Sequence, residues 1–177
     1  HDPNWRLSLA ELLQPLFALA YKRSTLETAI EANRTIINTV NDYVNESKTV
    51  ANPIKPYYPA YLYKRNDLAQ HFMGAASVTT SVNSQIAKAL GEEKELQDAQ
   101  GGSGFSFVDL TADKAGTCFG ELAIASPSSA RKLQQAMGAI KDYTDFMPDP
   151  RTLPEHMDEA TFKKRYGAIN SAAYQKV

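Results

Sequence analysis

The chain has 177 residues, 43% hydrophobic and 10% aromatic, enough apolar material for a substantial core, which excludes disorder throughout. Lysine and arginine number 19 against 20 acidic residues, so there is no basic surplus to drive binding to phosphate backbones, and nucleic acid is not an expected partner. Cys118 is the single cysteine, which excludes an intrachain disulfide and a cysteine-rich zinc site, and without an apolar run of about 18 residues no membrane-spanning segment is expected.

The chain starts at His1 rather than methionine, which is read as a sign of processing, with a signal peptide as the candidate for the missing piece. Leu9, Leu12, Leu13, Leu16, Phe17, Leu19 and Ala20 follow a helical period, and Pro15 predicts that this first helix is short or bent. Ser24 with Glu27 reads as a capping box opening a second helix, whose apolar stripe is Leu26, Ile30, Ile37, Val40 and Val44 and whose end is near Ser47. Pro53, Pro56 and Pro59 then impose an extended connector. Tyr57, Tyr58, Tyr61 and Tyr63 crowd the same stretch, either as a stacking platform for a sugar or peptide or, the favoured reading, as rings that clamp the connector to the helices.

From Asn66 or Asp67 a long central helix is predicted to run to about Leu90, with small residues from Gly74 to Ser81 that let neighbouring helices approach closely. Gly91 marks its end or a kink. A short helix over Glu92–Ala99 then lines Glu92, Glu95 and Asp98 along one side, with Lys94 directed elsewhere. The loop QGGSGFS is a turn or a backbone cradle. Ser106 with Asp109 caps a helix starting near Phe107, which gives Asp109 a structural role and places Cys118 on a buried face. Asp113 lies one turn further in, beyond any capping role, and if buried it requires a partner. Pro127 after Ser126 starts another helix, with Leu133, Met137, Ile140 and Tyr143 as its apolar face. From about residue 146 an irregular, proline-rich tail carries one short helix, opened by Asp158 and ended at Gly167, and wraps the core rather than building it. The fold class expected over 1–177 is all-α: a single compact helical bundle of six to seven helices with a long central helix and a proline-rich connector.

The candidate polar site is Asp67, His71, Glu95, Asp98, Asp109 and Asp113. Helical bundles build metal sites from inward-facing histidines and carboxylates, and by that logic His71, Glu95, Asp98 and Asp113 are candidate ligands for a divalent metal. A water on such an ion would hydrolyse an ester or phosphodiester. The competing reading, which is preferred because a second close histidine is lacking, is a satisfied buried network of His71, Asp67 and Glu95 with Lys94 paired to Asp98 or Asp113. A nucleophile elbow of the Gly-x-Ser-x-Gly type is absent, and no Walker lysine follows the glycines. His1 and His156 fall in the terminal stretches and are assigned no role.

The order NDLAQHF, then GEEKELQDAQGGSGFSFVDLTADKAG, resembles the pattern of the YfiM-like bacterial envelope lipoproteins and, more remotely, the VanZ-like membrane proteins. The matching positions are Asp67, His71, Phe72, Lys94, Glu95, Asp98, Gly102, Ser103, Gly104, Asp109, Leu110, Asp113 and Gly116, under a third of the chain. Leu68 stands where that pattern usually has lysine, and Phe107 where it often has tryptophan. The resemblance implies a periplasmic or secreted setting and supplies no activity. The expected function is therefore a binding or scaffolding role, with an envelope component or small ligand as partner. The alternative is a metal-dependent hydrolase acting on an envelope polymer or lipid.

Overall fold

The computed structural model describes residues 6–45, 58–82 and 84–177, apart from the side chains of residues 84 and 87. Seven α-helices account for most of it: α1 (Leu9–Arg23), α2 (Ala29–Asn45), α3 (Asn66–Ser81), α4 (Ser84–Gly101), α5 (Phe107–Ile124), α6 (Pro127–Gly138) and α7 (Glu159–Tyr166). Two two-residue strands, β1 (Leu7–Ser8) and β2 (Ala60–Tyr61), pair in parallel and tie the entry of α1 to the entry of α3. The architecture is the expected compact all-α bundle. None of the described helices is long and apolar enough to cross a membrane.

Several predicted boundaries move. Ser8 and Glu11 cap α1 reciprocally, and the helix then runs for 15 residues with Pro15 inside it, its ring on the exposed side, so Pro15 does not shorten the helix. The capping box at Ser24 does not form. Ser24 Oγ bonds the Ala20 carbonyl and Gln134 instead, Thr25 N–H donates to Thr28 Oγ1, and Leu26 is exposed, so α2 opens only at Ala29. The end of that helix near Ser47, and Pro53, Pro56 and Tyr57, lie outside the described residues. Tyr43 donates its hydroxyl to the Tyr58 carbonyl, Tyr63 donates to the Met147 carbonyl and packs edge-on against Tyr143, and Arg6 stands over Tyr61. These contacts are clamps.

The long central helix is two helices. The backbone leaves helical geometry at Val82 (φ −120°, ψ −83°), and α4 then continues through Gly91 to Gly101. Gly91 is an interior position at which a Cβ would lie 2.8 Å from Asp113 Oδ2, so it serves close approach rather than termination.

The main core gathers Leu13, Phe17, Ile37, Val40, Phe72, Met73, Phe119 and Met137 from α1, α2, α3, α5 and α6. Phe72 and Phe119 meet at 5.4 Å between ring centroids, with Phe146 against both. The C-terminal stretch does more than wrap. Met157, Phe162 and Tyr174 join Phe105, Phe107 and Leu110 in a second cluster, in which Phe105 stacks on Phe162 at 4.3 Å. Buried Asn33 and Gln134 bond each other and the carbonyls of Ala29, Ala123 and Ala130, fixing α2 against the α5–α6 junction with both amides satisfied.

The α3–α5 pair forms the most extensive helix contact in the structure. Gly116 and Gly120 of α5 face the Phe72 carbonyl and the Ala76–Thr79 turn of α3, where a Cβ at Gly116 would collide with the Phe72 carbonyl oxygen. Gly116→Ala is expected to lower the unfolding free energy by about 2–3 kcal/mol, because backbone rather than a movable side chain would have to give way. Gly74→Ala, where nothing lies within 4 Å, is expected to raise it by about 0.5–1 kcal/mol. Urea titration of both variants checks the contrast. Equal effects would refute the close-approach account.

Candidate functional site

A tight turn delivers the first site residue. Leu62 and Arg65 exchange both backbone hydrogen bonds, which places Tyr63 and Lys64 at positive φ and lets Arg65 lead directly into α3. One turn of α3 separates Asp67 from His71, so both side chains lie on the face turned toward α5, where Asp109 and Asp113 occupy the same spacing. From the other side α4 supplies Lys94, Glu95 and Asp98.

Arg65 is the hub of the outer half. Its guanidinium donates to Asp67 (2.5 Å), Asp109 (2.9 Å) and Glu155 (2.6 Å). Burial opposes ionisation of Asp67, but the Arg65 hydrogen bonds outweigh it and hold its carboxyl below the usual range. His71 is the hub of the inner half, with Nδ1 3.0 Å from Asp113 Oδ1 and Nε2 3.8 Å from Asp109 Oδ2. Burial disfavours the imidazolium, yet the Asp113 hydrogen bond and the charges of Asp113 and Asp109 prevail and raise its pKa. Asp109 moves upward, chiefly through burial.

Glu95 is fully buried. Its Oε2 accepts the Ser106 backbone N–H at 2.8 Å, while its Oε1 has no hydrogen-bond partner and stands 3.6 Å from Lys94 Nζ. Burial pushes its pKa up to about 7. Asp113 Oδ2 is a second buried oxygen without a partner. One ligand atom from each of His71, Glu95 and Asp113 can be chosen so that all lie within 4.8 Å of one another, and no other such grouping of three occurs among the described residues. A cavity of about 460 Å³ opens beside them, lined by Gln70, His71, Gly91, Lys94, Asp109 and Asp113, with Glu95 behind this lining.

No family model, curated protein or solved structure matches the chain. The reading of the site therefore rests on its geometry. Of the residues singled out from the sequence, His71, Glu95 and Asp113 converge, with Asp109 and Asp67 adjoining them. Asp98 does not join: its carboxylate takes the Lys94 ammonium at 2.7 Å, one turn of α4 beyond Glu95. Lys94 thus points into the site rather than away from it. Asp109 is more than a capping residue, because only the Ser106 hydroxyl caps α5, accepting the Asp109 N–H, while the Ser106 N–H goes to Glu95 and the Asp109 carboxylate is free to face Arg65 and His71. Gly104 (φ +89°) makes the loop a true turn, packed against the His156 backbone. Arg65 and Glu155 were missed. Arg65, two residues before Asp67, carried a local signal; Glu155 lies 90 positions away and carried none.

The pH dependence follows from the raised pKa values. A Glu95 carboxyl at about 7 when folded and near 4.5 when unfolded favours the folded state most below pH 4.5, and that advantage disappears as pH rises through 7. His71 has the same sign. In chelator, stability is expected to fall by roughly 2–3 kcal/mol between about pH 5 and pH 8. Glu95→Gln should flatten most of that slope in denaturant titrations. An unchanged slope would show that Glu95 titrates normally.

Proposed function

We propose that the protein is a divalent-cation-binding helical protein with a binding or scaffolding role in the bacterial envelope, in which His71, Glu95 and Asp113 hold the ion and so join α3, α4 and α5. One observation carries the reading: Glu95 Oε1 and Asp113 Oδ2 are buried without hydrogen-bond partners, the former with only the Lys94 ammonium at 3.6 Å, and one ligand atom from each of His71, Glu95 and Asp113 can be chosen so that all lie within 4.8 Å of one another. Each orphaned buried acceptor costs about 1–3 kcal/mol, and more when ionised, unless a cation answers it. The charges agree. Asp67, Glu95, Asp98, Asp109, Asp113 and Glu155 face Arg65 and Lys94 as permanent cations, an acidic surplus that protonated His71 only partly offsets. One imidazole with carboxylates suits Zn²⁺, Mn²⁺ or Fe²⁺. The envelope setting rests on the resemblance at Asp67–Phe72 and Lys94–Gly116.

A second reading, a metal-dependent hydrolase acting on an envelope polymer or lipid, is favoured by the cavity at His71 and Asp113, which leaves room for a water and a substrate at the ion. In the absence of the ion, the acidic surplus would repel a phosphate-bearing substrate, which favours the binding role.

Metal analysis after loading with Zn²⁺ or Mn²⁺ and desalting is expected to give one ion per chain. His71→Ala and Glu95→Gln should each lose it while remaining folded. At an ion concentration a hundred times the Kd, the wild type should gain about 2.7 kcal/mol of stability that the variants lack. No retained ion, together with a large loss of stability in both variants, would establish a sealed structural network instead. Metal-dependent ester hydrolysis abolished by His71→Ala would favour the second reading.

A further inference from the structure

Lys94 stands on the border between the polar centre and solvent. It precedes Glu95 on α4 and lies one turn before Asp98, and its ammonium sits between the two acids, with Nζ 2.7 Å from Asp98 Oδ2 and 3.6 Å from Glu95 Oε1. The acids differ in depth. Asp98 keeps part of its side chain in water, whereas Glu95 is fully enclosed and its Oε1 has no hydrogen bond. Among the described residues Lys94 is the one basic group within 4 Å of that carboxylate, and it borders the same cavity as His71 and Asp113.

A divalent ion held by His71, Glu95 and Asp113 would meet this ammonium. Glu95 Oε2 accepts the Ser106 N–H at 2.8 Å, so Oε1 is the oxygen left for an ion, and it is the oxygen that Lys94 faces. Like charges at about 5 Å repel strongly where water is scarce. The ammonium nevertheless has a place to go, because half of the Lys94 side chain is exposed and the helical spacing keeps Asp98 within reach. Arg65 offers no comparable competition, since its guanidinium is divided among Asp67, Asp109 and Glu155.

We propose that Lys94 is the built-in competitor of the cation centre: it faces Glu95 in the ion-free protein, and an arriving divalent ion displaces it onto Asp98. The inference rests on the assignment of His71, Glu95 and Asp113 as ligands. Lys94 then sets how tightly the centre holds its ion.

Mn²⁺ titration, followed by the paramagnetic resonance signal of the free ion, tests this. Lys94 is exposed, so its variants should fold normally. Lys94→Gln should lower the Kd for Mn²⁺ at least tenfold, while Lys94→Arg, which keeps the charge, should stay within threefold of wild type. Asp98→Asn removes the acceptor for the displaced ammonium and should raise the Kd at least threefold, but less than twofold once Lys94→Gln is present. An unchanged or raised Kd in Lys94→Gln would overturn the proposal and leave the cation centre standing, as would equal tightening by Lys94→Arg. An Asp98→Asn effect of the same size in both backgrounds would refute the displacement onto Asp98. Binding by neither wild type nor Lys94→Gln would sink the cation centre and the competition together. Binding by Lys94→Gln alone would be the competition in its strongest form.

Discussion

The structure depends on how closely α3 and α5 cross. Gly116 and Gly120 remove the side chains that would hold the two helices apart, and the backbone of α5 lies directly on Phe72 and on the Ala76–Thr79 turn. That proximity brings the His71 ring within hydrogen-bond distance of Asp113, since both residues lie on the faces that meet. Gly91 extends the same principle to α4, where the missing Cβ leaves room for the Asp113 carboxylate. The polar centre is a consequence of small residues as much as of charged ones. Its geometry is inherited from helix packing.

The charges divide into two layers with different physics. In the outer layer Arg65 binds three carboxylates from three separate stretches of chain; Asp67 and Glu155 are partly solvated, so their pairs contribute modestly and serve mainly to orient groups, while Asp109 is buried. In the inner layer Glu95 and Asp113 are buried beyond the reach of Arg65, and each leaves an oxygen without a hydrogen bond, that of Glu95 facing only the Lys94 ammonium at 3.6 Å. Desolvation dominates there, which is why Glu95 is pushed toward neutrality while half-exposed Asp67 is held ionised. An acid kept near neutrality and a histidine kept basic form a centre that takes up protons, and the cation proposed for it would compete for the same oxygens.

Helix α5 has two unlike faces. One side presents Asp109, Asp113, Gly116 and Gly120 to α3 and α4; the other presents Leu110, Cys118 and Leu122 to an apolar groove beside α6. Cys118 was placed on a buried face by periodicity alone, yet it is exposed. What α5 lacks is a helix covering that second face, because α6 and the C-terminal stretch leave the groove open. Likewise the C-terminal segment, expected to wrap the core around one short helix, builds a second core through Phe162 and Tyr174, whose rings meet Phe105 and Phe107.

The sequence by itself determined the helical class, the starts of α3, α5, α6 and α7, and His71, Glu95 and Asp113 as residues that meet. These follow from local rules, namely apolar spacing, a capping serine or aspartate, and acids one helical turn apart. It did not determine the break at Val82, the continuation of α4 through Gly91, the direction of Lys94 or the part played by Arg65 and Glu155. Each of those depends on what stands opposite in space. A glycine reads as a terminator in one dimension and as a contact point in three, and a carboxylate that can cap a helix faces a histidine once another acceptor, Glu95, has taken the Ser106 N–H. Tertiary structure alone decided which oxygens were left without partners, because a missing partner is a property of the packed surroundings rather than of the residue.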